Sequence, residues 1–156
     1  MVTLAEQLAS DVTDSMRSGD TRKRDVIRFL RAAVKNAEID RQRALTDEEV
    51  RDVIRTQIKQ RRDSIDLFRR GGRNDLADSE EAQIAILEPY LPAQLDDAEL
   101  ESLVVRVADQ VGATSPRDMG RLMAAVRSEV NDRAEGRRVS AVVKDELTRR
   151  AASTSD

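Results

Sequence analysis

The sequence has 156 residues, of which 27 are Lys or Arg and 30 are Asp or Glu, so its formal net charge is only −3. Cys and His are absent and aromatic residues make up 2%, which excludes disulfides, zinc–thiolate sites and imidazole acid–base chemistry. No apolar run approaches the ~18 residues of a membrane-spanning helix, and the first residues lack the basic and apolar stretches of a secretory signal peptide. We therefore expect a cytoplasmic protein that does not enter a membrane.

Apolar residues recur at helical spacing almost throughout, and no strand-like alternation stands out, so the sequence predicts an all-α fold. Thr3 caps the first helix and Gly19 ends it, and the second helix runs from residue 20 or 21 to about residue 43. Thr46 and Glu49 form a capping box that opens a third helix ending at 71–72, and a fourth covers about 74–88. The apolar faces predicted to be buried in the first three helices are Leu4, Leu8, Val12 and Met16; Val26, Phe29, Leu30, Ala33, Val34 and Ala37; and Val50, Val53, Ile54, Ile58, Ile65 and Phe68.

Two prolines in the segment 89–92 interrupt the helical pattern, and we place a domain boundary there. Residues 1–92 are predicted to form an N-terminal helical domain of about four helices. Residues 93–150 are predicted to form a compact three-helix unit, in which Asp96 and Glu99 cap the fifth helix and Pro116 begins the sixth. Residues 151–156 are expected to form a frayed tail.

Charge is sorted by segment, although the total is nearly balanced. Residues 17–43 hold nine basic and four acidic side chains, a net +5, and residues 51–73 hold eight basic and three acidic, again +5. Residues 74–101 hold nine acidic side chains and no basic one. Blocks of this kind indicate either surfaces that bind charged partners or compensation of the basic helices by the acidic segment.

The second helix carries a regular row of cations. Four of them recur at i, i+4, i+7 and i+11 and so lie in one stripe: Arg24, Arg28, Arg31 and Lys35. This spacing suits a row of phosphates, because several charge-assisted contacts form at once. The alternative is a solvated face that the neighbouring acidic helix neutralises.

Arg61 falls in the middle of the apolar stripe of the third helix, between Ile58 and Ile65. A guanidinium in that position needs a carboxylate or carbonyl partner, because an unpaired buried charge is costly. We expect a structural role, either as a clamp to Glu38, Glu80 or Glu81 or as an Arg whose head group escapes to solvent at the helix edge.

Several short motifs occur in a recurring order. Together they resemble the GatB/YqeY family, small bacterial proteins similar to the helical and tail domains of the B subunit of tRNA-dependent amidotransferases, and the resemblance covers roughly residues 3–150. The motifs are Asn36–Asp40, Arg61–Ile65, Gly72–Ala77 followed by Glu80 and Glu81, Tyr90–Pro92, Asp118–Met123, and Arg133–Gly136 with Val139 and Ser140.

The resemblance implies a tail-like three-helix domain and a tRNA partner, because the tail of the amidotransferase subunit helps to hold the body of tRNA. Asp132 departs from the family by replacing a frequent glycine, which adds a carboxylate near the last helix. Matching cations would bind phosphate or sugar and would not read bases, since only Phe29, Phe68 and Tyr90 supply rings. The matching RNA-binding candidates are Arg117, Arg121, Arg137, Arg138 and Lys144.

The leading hypothesis is a bacterial YqeY-like accessory protein that binds tRNA, together with an amidotransferase or other translation-related proteins. The alternative is a helical protein-interaction adaptor whose acidic segment binds a basic partner, and the oligomeric state stays open. We expect no activity of the protein alone, no cofactor and no metal, because the family's catalytic domain has no counterpart in this sequence. Relatives of this family can carry the label of a carbon–nitrogen ligase, but no catalytic residues in this sequence support that activity. The acidic side chains considered for Mg²⁺ are spread around their helix: Asp75, Asp78, Glu80 and Glu81.

Overall fold

A computed structural model describes residues 1–131 and 133–154 of the chain. These residues form α-helices joined by short turns and contain no strand, which confirms the all-α prediction. None of the described helices is both long and apolar enough to cross a membrane. The helices are α1 (Leu4–Ser18), α2 (Thr21–Arg41), α3 (Asp47–Arg70), α4 (Asn74–Leu87), α5 (Asp97–Val111), α6 (Met119–Val130) and α7 (Gly136–Thr154).

The chain divides into two compact units, Met1–Leu91 and Pro92–Asp156. The division falls at the proline-containing segment, where a 3₁₀ turn over Glu88–Tyr90 follows α4. Proline cannot donate a backbone hydrogen bond and disfavours helical geometry in the residue before it, so a straight helix does not continue through this segment.

Local sequence signals define most helix ends. Thr46 Oγ1 accepts the N–H of Glu49 while the Glu49 carboxylate accepts the N–H of Thr46, and Asp96 and Glu99 form the same reciprocal pair before α5. Gly112 ends α5 in the left-handed region, at φ 68°. The side chains of the capping boxes and the backbone N–H of Gly112 satisfy backbone groups that have no partner within the helix.

The first unit has an aliphatic core in which Leu8, Ile27 and Ile54 are fully buried. In this unit α1 packs along α2 and α3 packs along α4. The phenol of Tyr90 donates a hydrogen bond to Asp11 Oδ2 at 2.5 Å, which ties the 3₁₀ turn to α1. Burial, the hydrogen bond to Asp11 and the charge of that carboxylate together raise the pKa of the Tyr90 phenol well above its ordinary value.

Two residues predicted to be buried in this unit are exposed instead. Phe29 is 62% exposed because the packed face of α2 is centred on Ile27 and Leu30, about 130° away around the helix axis from Phe29. Met16 is also exposed, because a strict four-residue spacing drifts by about 40° at each step and carries the fourth position off the packed face.

The second unit buries a separate aliphatic core, with Leu100 from α5, Leu122 from α6 and Leu147 from α7. All three helices contact one another. The N–H of Leu95 donates to the carbonyl of Arg133 at 2.7 Å and so fixes the segment that precedes α5.

The last helix continues beyond the predicted end of the domain. The structure shows α7 through Thr154, whereas the sequence predicted a frayed tail from residue 151. The side chain of Arg150 anchors this end of α7 to α5, and the hydroxyl of Ser153 donates to the carbonyl of Arg149. Residues 155 and 156, and the family departure noted at Asp132, lie outside the described residues.

Candidate nucleic-acid interface

The acidic side chains of α4 are used by the arginines of α3 in the same unit. Arg69 Nη2 donates to Glu81 Oε1 at 2.7 Å and to Asp78 Oδ1 at 3.3 Å. These contacts and the charge of Glu81 raise the pKa of the Arg69 guanidinium. The acidic segment therefore compensates α3. Two more pairs involve residues that flank α4: Arg62 of α3 with Glu88, and Arg73 with Asp75 of α4.

Arg61 forms the least exposed of these contacts. Its side chain is 13% exposed, and its Nη1 donates to Glu80 Oε2 at 3.0 Å and to Gln83 Oε1 at 2.5 Å. Glu80 is one of the three partners considered from the sequence. The guanidinium thus forms a structural contact that links α3 to α4. It does not lie open to an RNA backbone.

The cation stripe of α2 is not neutralised by α4. Arg31 and Lys35 are exposed and make no hydrogen bond or ion pair with any described residue. Arg28 is exposed and contacts only Met16 Sδ among the described residues, at 3.4 Å. Arg24 pairs with the adjacent Asp25 at 2.9 Å. At about 1.5 Å per residue the stripe extends ~16 Å, long enough for several phosphates.

The five candidates in the second unit fall into two groups. Arg117, Arg137 and Lys144 are exposed and have no partner in the described part of the chain. Arg121 instead donates to the Val111 carbonyl at 2.6 Å and to Asp118 at 3.1 Å. Arg138 donates to the Leu95 carbonyl and to Asp97, both at 2.9 Å. The structure therefore leaves three of these cations open and places two in contacts that hold the unit together.

Asp118 explains why Arg121 is engaged. The backbone N–H of Thr114 donates to this carboxylate at 2.8 Å, and that of Ser115 does so at 3.3 Å. The hydrogen bond from Thr114, then that from Ser115 and the nearby Arg121, lower the pKa of Asp118. The carboxylate stays charged and holds the Arg121 guanidinium beside the turn that precedes α6.

One surface was missed at the sequence level. Side chains from α2, α3 and α4 line a groove of about 670 Å³ in the first unit. Gln57 is buried in its wall and Phe29 is exposed at its edge. The sequence signals were two polar residues within the apolar stripe of α3, Arg61, which was noted, and Gln57, which was not.

The described residues offer no group of three or more acidic side chains arranged to hold a metal ion. The fold and the surface define a class: an all-α protein of two helical units whose distinctive chemical feature is rows of exposed, uncompensated cations. The chain matches the family model described as YqeY-like protein over residues 5–147, so it belongs to the YqeY-like family.

Similar proteins include three named Altered inheritance of mitochondria protein 41, mitochondrial. The protein of Eremothecium gossypii is 36% identical over 64% of this chain and 54% of its own length. That of Lachancea thermotolerans is 34% identical over 70% of this chain and 60% of its own length. That of Pyrenophora tritici-repentis is 30% identical over 82% of this chain and 71% of its own length. The chain thus spans less than two thirds of the first two relatives.

These relatives contradict two predictions. They are eukaryotic proteins named as mitochondrial, so the predictions of a bacterial protein and of a cytoplasmic location were wrong. The location was inferred from the lack of a secretory signal pattern. Because targeting segments are separate from the folded domain, the composition of the fold does not identify the compartment. The names of the three relatives do not mention tRNA, and tRNA binding stays a prediction.

Proposed function

We propose that this YqeY-like protein is an accessory protein that binds tRNA through its exposed Arg and Lys faces, with contacts to the phosphate backbone. The observation that carries the proposal is the engagement of the α4 carboxylates by α3. This engagement leaves Arg28, Arg31 and Lys35 on α2 without a carboxylate partner among the described residues. A row of free cations on a rigid helix binds a polyanion with little cost in reorganisation.

The second unit contributes three more open cations, Arg117, Arg137 and Lys144. With the α2 stripe they supply about six phosphate contacts, and such contacts position a protein on RNA without reading its sequence. The net charge of −3 does not oppose this function, because arginines of the same unit engage Asp78, Glu80 and Glu81 of α4.

The resemblance to the amidotransferase B subunit makes the body of tRNA the first ligand to test and an amidotransferase the first partner. The adaptor alternative has less support, because the acidic side chains that would bind a basic partner already contact arginines of the same unit. Pull-downs before and after nuclease treatment separate the two, since an adaptor keeps its protein partners after nuclease.

The direct test is an anisotropy titration of labelled bulk tRNA at several salt concentrations. Four to six phosphate contacts predict a log–log salt slope of roughly −3 to −5. The variant R31Q/K35Q removes two open cations of α2, and we expect the slope to become shallower by roughly 1.4 to 1.8. R137Q/K144Q should act in the same way through the second unit.

The matched control is R69Q/R106Q, which removes two exposed arginines that already contact carboxylates. All three double variants take the net charge from −3 to −5, so the control differs from the two test variants in that its removed cations already contact carboxylates. The control should leave the salt slope unchanged. Absence of tRNA binding at low salt, or equal losses in the test and control variants, would refute the proposal.

A further inference from the structure

The groove formed by α2, α3 and α4 in the first unit has features that the phosphate stripe does not explain. Its volume is about 670 Å³, and its wall includes Phe29, Gln57 and Arg61. Phe29 is one of three aromatic residues in the chain and is 62% exposed. A large ring left open beside a polar groove is suited to stacking against a flat ligand.

Gln57 provides the second feature. It is only 5% exposed, yet its Oε1 has no hydrogen-bond partner among the described residues. A buried polar atom in this condition carries a desolvation cost, which a ligand removes by supplying a donor. The terminal torsion of glutamine is soft, so a small rotation of the amide presents oxygen and nitrogen together to a ligand.

The groove is also electrically balanced, with Arg22 and Arg61 facing Asp25 and Glu80. A balanced lining favours a neutral, polar ligand over a highly charged one. Arg22 is exposed and forms no hydrogen bond or ion pair with any described residue, so its guanidinium is open to one phosphate. A ring, an amide and one free cation are the groups needed to bind a single nucleotide.

We infer that this groove binds one unpaired adenine base, stacked on Phe29 and hydrogen-bonded to the amide of Gln57. Adenine is the base whose N6 and N7 match the acceptor and donor of a glutamine amide. The base comes from a single-stranded nucleotide of the bound tRNA or from a free adenine nucleotide, and the first source rests on the proposed function. The groove and the cation stripe share the helix α2, on different faces, and this proximity favours the RNA source.

The first arm of the test titrates AMP and UMP into the full-length protein and follows backbone amide shifts by NMR. AMP should shift amides around the groove and bind more tightly than UMP, by roughly five- to a hundredfold for a bidentate contact. F29A should weaken AMP binding by a similar factor through loss of stacking. Q57M keeps the side-chain volume and should remove the preference for AMP while the protein stays folded, because an unpaired polar group is replaced by an apolar one.

The matched control for F29A is L67A, which truncates another exposed apolar side chain that does not line the groove. The second arm compares two RNA hairpins with identical stems and loops of adenosine or uridine. The adenosine hairpin should bind more tightly, and F29A should erase the difference without changing the salt slope.

The outcomes separate the two proposals. If F29A and Q57M have no effect on AMP binding, the adenine site is overturned and tRNA backbone binding is left intact. Equal binding of both hairpins with a normal salt slope overturns RNA as the source of the base. AMP binding at the groove without any RNA binding overturns the proposed function and identifies a free nucleotide as the occupant.

Discussion

Arg150 forms the most extensive polar contact in the second unit, and its removal provides a quantitative test of the fold. Its Nε donates to Glu146 Oε1 at 2.8 Å, and its Nη2 donates to Asp109 Oδ1 at 2.7 Å. The same guanidinium donates to the carbonyls of Ala113 at 3.2 Å and Val105 at 3.3 Å. It thereby joins α7 to α5 and to the turn after α5. We predict that R150M destabilises the second unit.

The size of the effect follows from burial. The side chain of Glu146 is 7% exposed and that of Arg150 is 22% exposed. Removing one partner of a buried pair costs about 3 to 5 kcal/mol. Arg149 Nη2 stays 3.1 Å from Glu146 Oε2, and the exposed Asp109 regains water, so we expect about 2 to 3 kcal/mol. For a unit of this size that lowers the melting temperature by about 8 to 20 °C.

The assay is thermal and urea unfolding followed by far-UV circular dichroism. The matched control is R106M, which breaks an exposed pair between Arg106 and Glu129 in the same unit and should cost about 0 to 1 kcal/mol. The double variant R150M/E146L replaces both buried partners by apolar side chains and should recover most of the stability. If R150M costs no more than R106M, the contacts of Arg150 do not stabilise the unit and the argument is wrong.

Two further predictions concern Tyr90 and Gly120. Y90F removes the hydrogen bond to Asp11 and should cost about 1.5 to 3 kcal/mol in urea unfolding, since the acceptor is charged. Burial, followed by the hydrogen bond to Asp11, raises the pKa of the Tyr90 phenol above its ordinary value of 10.0. The protonated phenol therefore stabilises the folded state below pH 10, and this stabilisation is lost as the pH rises further. Ultraviolet titration should show tyrosinate forming well above pH 10, and ionisation at the ordinary pH would contradict the contact. Gly120 lies inside α6 with open space where a Cβ would stand, so G120A should stabilise the protein by about 0.5 to 1 kcal/mol, and a loss of stability would show that the site is crowded.

Local signals predicted the helix ends well. Thr46 with Glu49 and Asp96 with Glu99 form the capping boxes that the sequence indicates. These motifs succeed because the capping groups lie within a few residues of the backbone atoms that they satisfy. No distant contact is needed to form them.

The assignment of faces was less accurate, because it depends on which helices meet. Periodicity identified an apolar side of α2 and included Phe29 in it, yet the packed face is rotated toward Ile27. A helical wheel does not contain the direction from which a neighbouring helix arrives. The end of α7 was missed for the same reason, since Arg150 binds groups on α5 and in the turn after it that are 37 to 45 residues away in the sequence.

The charge blocks visible at the outset show the same division. Two basic segments and one acidic segment, with a total near zero, can be read directly from the sequence. The packing of the helices sets which of them meet: the acidic side chains of α4 contact the arginines of α3, and Arg31 and Lys35 of α2 stay open. The physical reason is that water and salt screen the attraction between exposed charges beyond about 10 Å, so compensation depends on which faces are packed together and not on composition.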